Sequence, residues 1–556
     1  MTDSTKKEAK QNMASTPEEM VKILANVSFL KPEELSQRVQ ALHEGHFPTL
    51  SMDESPRPYL DASEDPRGDI NADDIEAFAM KLVDISKKSR EDGNILWGRI
   101  QGTKYEAEAQ TLVADTLRSY GVEDVREDFF PIRNAQWEPT KNELTVIASN
   151  SLEEGETEHN FEYAVTPFPS GLTPEAGIEA EVVYVGQGTA AELNGRNLDG
   201  KIVLLQCDFS AGGPMYSTGR TAYSRIAAGT YGAPAGIVAW WTLPGSKQTA
   251  TRIGAMGGGD SVGEALPWIS IGYDDGLYLR KLIDRQTAEE PVKLRMCVQG
   301  KMEDGRHRNS SNVYGFIPGT TGKSVVMTFH TDSYFYGLHD NAGTAAMVMA
   351  AAKHYAKRPL EQRGHGLVVL SVGDHEHPGV GATDKFIEQN HEFVRDEMLM
   401  VLRPEKLGLI ALTKEGPIQS KSNQAIPAMQ MITNKAPILL NVFEQAVNTY
   451  ALPTADFYYQ DPAADETHFH PPFTKFNDLD AISTGWAISS YSYHSTIDYD
   501  MGLISFKLLE KYARAHIFII DALADATKED IKKDGHELPT KSIYSSDLFK
   551  YFYGNF

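Results

Sequence analysis

The chain of 556 residues is too long for one ordinary hydrophobic core, so two or three domains are expected. With 41% hydrophobic and 10% aromatic residues it has the composition of a soluble globular protein, and it contains no apolar run of membrane-spanning length. A net charge of -24 argues against a partner recognised through its phosphate backbone, and two cysteines, Cys207 and Cys297, are too few for a disulfide framework.

The N-terminus, MTDSTKKEAKQNMAS, lacks the apolar core of a secretory signal, so a cytoplasmic location is expected. Residues 1–70 run from a polar tail through two helical patterns, PEEMVKILANVSFL and PEELSQRVQALHEGHF, into a Pro-, Asp- and Ser-rich passage that reads as a linker. From Asp73, DDIEAFAMKLVDISKKS and YEAEAQTLVADTLRSYG repeat apolar residues at helical spacing, and VEDVREDFF reads as a strand. Around Val165 the character changes to short strands between Gly and Pro clusters: AEVVYVGQG, GKIVLLQCDF, GIVAWWTL and PWISIGY. They define a β-rich insert over 166–299, with Trp240 and Trp241 read as core residues. The flanking segments 71–165 and 300–530 then form one discontinuous α/β domain, and 531–556 is left as a tail.

In the second of those segments Ser324–Phe329 and Leu367–Val372 read as buried strands. Between them Gly343–Tyr355 reads as a helix that follows two good capping residues, Asp340 and Asn341. This is a βαβ unit, which places ligand-binding groups beyond the carboxyl ends of its strands. EMLMVL is a further strand, ILLNVFEQAVNTYAL an amphipathic helix, WAISSYSYH a strand leading to a histidine, and FKLLEKYARAHIFIIDALADA a long closing helix.

His330, His339, His375, His377 and His494 fall at strand ends or adjoining loops, with Asp332, Asp340, Asp374 and Glu376 among them. Imidazole with carboxylate suits a catalytic divalent ion, zinc first, with Mn, Fe or Co as alternatives. An extended backbone through Asp374-His375-Glu376-His377 would put the two carboxylates on one face and the two imidazoles on the other. The Tyr491/Tyr493 pair beside His494 either walls a substrate pocket or packs.

NSSNVYGFIPGT, VVMTFHTDS, GLHDNAGTAAM, SVGDHEHPGVGAT and YSYHSTIDYD, in that order, resemble the M28 family of zinc aminopeptidases and carboxypeptidases. That family runs through an N-V strand, an H-x-D strand end, a D-D/N-x-x-G helix start, an E-E-x-G-x-x-G-S loop and a terminal Y-H-T/S-x-x-D. The insert resembles the protease-associated domain that many members carry. The resemblance covers roughly residues 75 to 525 and implies an α/β fold with a mixed, mostly parallel sheet flanked by helices. It also implies metal-binding roles for His330, Asp340 as a bridging carboxylate, Glu376 and His494, with Asp332 orienting His330.

Two positions depart from the pattern. His375 stands where the family has its general-base glutamate, and Arg403-Pro404-Glu405 stands where another aspartate ligand should follow EMLMVL. Arginine repels a cation, so one ion per chain is expected, provided that Glu405, His339 or His377 does not substitute. His375 and Tyr493 are the candidate catalytic residues. His375 is read as the base, with the competing reading that it is a ligand and Glu376 the base. The function expected is a metal-dependent hydrolase of a peptide or other amide bond. A lyase on the same scaffold and a non-catalytic binding protein are the alternatives. No nucleic-acid or membrane partner is expected, and a homo-oligomer is left open.

Overall fold

A computed structural model of the protein describes residues 65–132, 135–149, 152, 156–208, 217–250, 266–376, 382–415, 418–432, 437–454, 458–459, 482–488 and 492–533, with Ser36 and Gln40. The helical patterns and linker expected before residue 65, the tail after residue 533, His377 and Tyr491 lie outside them.

The first sheet has eight strands. Their spatial order is Tyr458–Tyr459, Met429–Ile432, Ile482–Ala487, Met398–Leu402, Ser324–His330, Gly366–Val372, Asn309–Ile317 and Asp124–Pro131. The four strands ending at Ala487, Leu402, His330 and Val372 are parallel, and antiparallel partners flank them on both sides. This is the mixed sheet expected, and the Ser324–His330 and Gly366–Val372 strands pair across their crossover helix as the βαβ reading requires.

Apolar residues fall on both faces of the central strands, which is why their sequences read as unbroken apolar runs. Val325, Met327 and Phe329 join a core under the helices Ala72–Glu91, Gly343–Lys357 and Phe506–Ala522. Val326, Val368, Leu370 and Val401 face Phe386 and Phe393 on the other side. The helix starts are fixed locally. Asn71 accepts from the Asp74 amide and Ser505 from the Leu508 amide, each satisfying a donor that the helix leaves unpaired.

A second, seven-stranded sheet runs from Gln136 to Glu303, between two strands that are antiparallel neighbours in the first sheet. The four strands read from sequence occur at Ile178–Tyr184, Ile202–Cys207, Gly236–Trp241 and Trp268–Ile271, with helix Tyr273–Arg285 packed on them. Trp240 and Trp241 are buried in its two cores. The Ser246–Ala250 stretch reaches back to the segment beyond the carboxyl end of the Ile482–Ala487 strand: the Ala250 amide donates to His494 O at 2.7 Å, and the Lys247 amide to Thr496 Oγ1 at 2.8 Å.

Three local expectations need correcting. Asp340 and Asn341 do not cap the helix at Gly343, whose N-cap is Ala342 without a side-chain bond; a π-turn over Leu338–Ala342 turns both side chains elsewhere. The strand read through WAISSYSYH is displaced to Ile482–Ala487, and His494 is reached through a turn. The described part of the DHEH run, Asp374 to Glu376, is not extended, because Asp374 has φ 48° and the alternation of faces is broken there.

Candidate metal centre

The carboxyl ends of the four parallel strands deliver the chemistry. His330 ends one strand; Asp374 to Glu376 follow Val372; Glu405 and Lys406 follow Leu402; His494 lies beyond Ala487. Asp340 arrives from the π-turn ahead of the crossover helix. All the candidate residues named from the sequence and placed here are buried: His330, Asp340, His375, Glu376, Tyr493 and His494.

They converge. His330, Asp340 and Glu376 each offer a ligand atom within 4.8 Å of the others, and so do His330, His375 and Glu405. His330 Nε2 lies 3.4 Å from Asp340 Oδ1 and 3.3 Å from Glu405 Oε1. His494 Nε2 lies 2.6 Å from Glu376 Oε2, and its Nδ1 faces the Ala250 carbonyl at 3.2 Å. With its Nδ1 on a backbone carbonyl, His494 is oriented as a ligating imidazole usually is, and Nε2 would be free to ligate once an ion took the place of the proton it shares with Glu376. The His375 ring stacks on His330 with centroids 3.9 Å apart and 14° between planes, and the Tyr493 ring stacks on His494 at 3.4 Å and 22°.

Asp332 sets the geometry of this cluster from beneath. Its Oδ1 is 3.3 Å from His330 Nδ1, and its Oδ2 accepts from the amides of His375 at 2.8 Å and Glu376 at 2.9 Å. Those two amides are brought to one oxygen by the left-handed turn at Asp374, which explains how neighbouring residues of a chain segment both serve one site.

The position beside His330 is taken by Glu405, not by Arg403. Glu405 Oε2 accepts from Asn341 Nδ2 at 3.3 Å. Lys406, which sequence reading passed over, places Nζ 2.8 Å from Glu405 Oε1 and 3.5 Å from Asp340 Oδ2, and 5.2 Å from the Tyr493 ring centroid. His339 belongs to another network: Nδ1 meets Ser492 Oγ at 2.8 Å, Nε2 meets Asp500 O at 3.1 Å, and burial pushes its pKa down to about 4.

The electrostatics follow from crowding acids in a dry place. Burial opposes charge on His330, yet Glu405, Asp332 and Asp340 outweigh it and raise its pKa well above the ordinary value. Burial likewise opposes the Lys406 charge, and Asp340, Glu405 and Glu376 more than restore it. Glu376 is raised by burial first, with Asp340 adding to the shift and His494 opposing it. Both Asp340 oxygens and Glu376 Oε1 are buried without a hydrogen bond. Acceptors left this way usually have an ion or water as partner.

Two more buried charged groups were not legible as site residues. Glu106 accepts from Ser310 Oγ, the Asp374 amide and the Gly102 amide, and burial, with Asp332 adding, pushes its pKa up to about 8. Arg99 donates to the carbonyls of Thr331, Leu82, Tyr336 and Gly337 and to Ser86 Oγ, holding the loop below the cluster.

No family model matches this chain, and no curated protein matches it in sequence. Solved structures do match. A peptidase M28 precursor from Shewanella amazonensis SB2B is 15% identical with a TM-score of 0.55, covering 82% of this chain and 97% of that one. A zinc aminopeptidase from Bacillus subtilis is 16% identical with a TM-score of 0.51, covering 84% and 98%. At such identities the likeness is one of fold, and the chain has the M28 peptidase fold.

Proposed function

We propose that this protein is a metal-dependent hydrolase of a peptide or other amide bond, working with one divalent ion, zinc by preference, held by Asp340, Glu376 and His494. The observation that carries the reading is the set of buried oxygens that make no hydrogen bond, both of Asp340 and Oε1 of Glu376, next to a Glu376 Oε2 that meets His494 Nε2 at 2.6 Å. Two carboxylates and an imidazole are the donor set of catalytic zinc sites. Charge supports it too: the carboxylates of Asp340, Glu376 and Glu405 crowd together, draw on Lys406 and raise the pKa of His330, and a divalent ion would offset the same charge. Such an ion supplies a Lewis acid that polarises a carbonyl and makes water more acidic.

The chain's own groups do the rest. His375, with a ring nitrogen among the ligand atoms of the cluster, is the residue proposed to take a proton from the attacking water and return it to the leaving amine. Asp332 holds His375 and Glu376 at the amide level, so the base and a ligand move together or not at all. Tyr493, stacked on His494 and beside Lys406, walls the site and limits water. His330 Nε2 approaches both Asp340 and Glu405, at 3.4 and 3.3 Å. We read the seven-stranded insert as a protease-associated domain, on its position between neighbouring strands of the first sheet and its contact with the His494 loop.

The test is metal analysis of the purified protein together with turnover of a panel of aminoacyl and N-acyl amides. One ion per chain, with both ion and turnover lost in Glu376→Gln, supports the proposal. Metal-free protein that stays inert when supplied with zinc, manganese or cobalt sinks it.

A further inference from the structure

Lys406 is hard to account for as packing. Its side chain is 5% exposed, and a buried ammonium persists only where partners compensate it. Its backbone lies at φ 52°, a region lysine rarely adopts. Bonds on either side hold it there: the Lys406 amide donates to Asn341 Oδ1 at 3.1 Å, and the Leu407 amide to Thr344 Oγ1 at 3.0 Å. The ammonium so aimed meets Glu405 at 2.8 Å and Asp340 at 3.5 Å, the same two carboxylates that approach His330 Nε2. An imidazole and two carboxylates form by themselves a second donor set for a divalent ion. An ammonium on those two carboxylates offsets the charge that such an ion would offset, and it repels one.

We propose that Lys406 is a tethered cation that fills a second ion position, formed by His330, Asp340 and Glu405, so that only the Asp340, Glu376 and His494 side exchanges metal with solvent. This rests on the metal-binding reading above and adds to it a built-in limit of one ion.

The experiment is the zinc content, by mass spectrometry after dialysis, of wild type, Lys406→Met, and Lys406→Met with Glu405→Gln. Methionine keeps the apolar stem and removes the charge. The expected result is one more ion per chain in Lys406→Met than in wild type, and loss of that additional ion in the double variant. An unchanged count in Lys406→Met overturns the role of Lys406 whatever the wild-type value, whereas a wild-type count of zero overturns the metal reading itself. Should Lys406→Met not fold, wild-type crystals soaked in excess zinc decide: anomalous density between His330 and Glu405 with Lys406 displaced refutes the proposal, and density confined to the Glu376 and His494 side supports it.

Discussion

Asp332 is proposed to bind no metal, yet it should govern how well metal is held. Its Oδ2 takes two amide hydrogens, from His375 and Glu376, while Oδ1 faces His330. A hydrogen bond to a charged acceptor contributes about 1.5–3 kcal/mol, roughly twice a neutral one. Asp332→Asn keeps the shape; if the amide oxygen stays on the two N–H groups, the loss is about 1 kcal/mol for each, or ~2 kcal/mol together. The amide NH₂ must then face His330 Nδ1, whose proton the Asp332 carbonyl holds at 3.1 Å, so a donor meets a donor where a carboxylate had supported the imidazole's charge. Asp332→Ala instead leaves two buried amides unsatisfied, at about 1–3 kcal/mol each. The asparagine variant should therefore bind zinc roughly 10- to 100-fold more weakly, as losses of such supporting groups do elsewhere, and the alanine variant more weakly still. Competition against a fluorescent chelator measures this, with denaturant unfolding of the metal-free proteins run alongside. If Asp332→Ala lost stability but held zinc within about 2-fold of wild type, the link from Asp332 through the Glu376 amide to the ion would be refuted.

His375→Ala should keep its metal and lose roughly 10²-fold or more in turnover if His375 is the base; loss of the ion with the activity would instead make it a ligand. Glu106 gives a pH signature. With its pKa raised from 4.5 to about 8, the folded chain holds one proton more than the unfolded chain between those values, so stability falls as pH rises, by at most ~1.4 kcal/mol per unit, and levels off above about 8. Glu106→Gln should flatten that part of the profile, and identical slopes in both proteins across urea titrations would count against it. Arg99→Met removes a buried guanidinium from four carbonyls and a hydroxyl and should cost ~4 kcal/mol or more, read as a lower denaturation midpoint; a change below about 1 kcal/mol would contradict the accounting.

The sheet was legible because its central strands are buried on both faces, so unbroken apolar runs such as SVVMTF and LVVLSV could belong to little else. Parallel order followed from the helix between them, and with it the meeting of His330, Asp340 and Glu376, which His494 joins through Glu376. What the sequence obscured was direction. Reading DHEH as extended separates His375 from Glu376, and reading Arg403 as the ligand position overlooks that the chain travels two residues further before it turns inward. Arg99 and Glu106 carry no signal at all, since each lies on an ordinary segment and becomes special only through burial.

Backbone conformation explains why those directions were hidden. Among the described residues, five other than glycine have positive φ, and Asp374, Lys406 and His494 are three of them. Each precedes, follows or is itself a proposed member of the metal cluster, and Phe335, a fourth, leads into the loop that Arg99 holds. Glycine or asparagine would adopt this region at less cost, and would have advertised a turn in the sequence. Instead the chain keeps Lys406 and His494 there, whose side chains the proposed centre uses, and turns at Asp374, at of order 1–3 kcal/mol apiece. That cost is met by the bonds around them: Glu106 on the Asp374 amide, Asn341 on the Lys406 amide, and the Ala250 backbone on His494. Two of these three supports are carried by side chains far away in sequence, so the turns they stabilise exist only in the assembled fold. A site built in this way is specified by the tertiary structure more than by its local motif, which is why the motif named residues that the fold brings together and misjudged where two of them point.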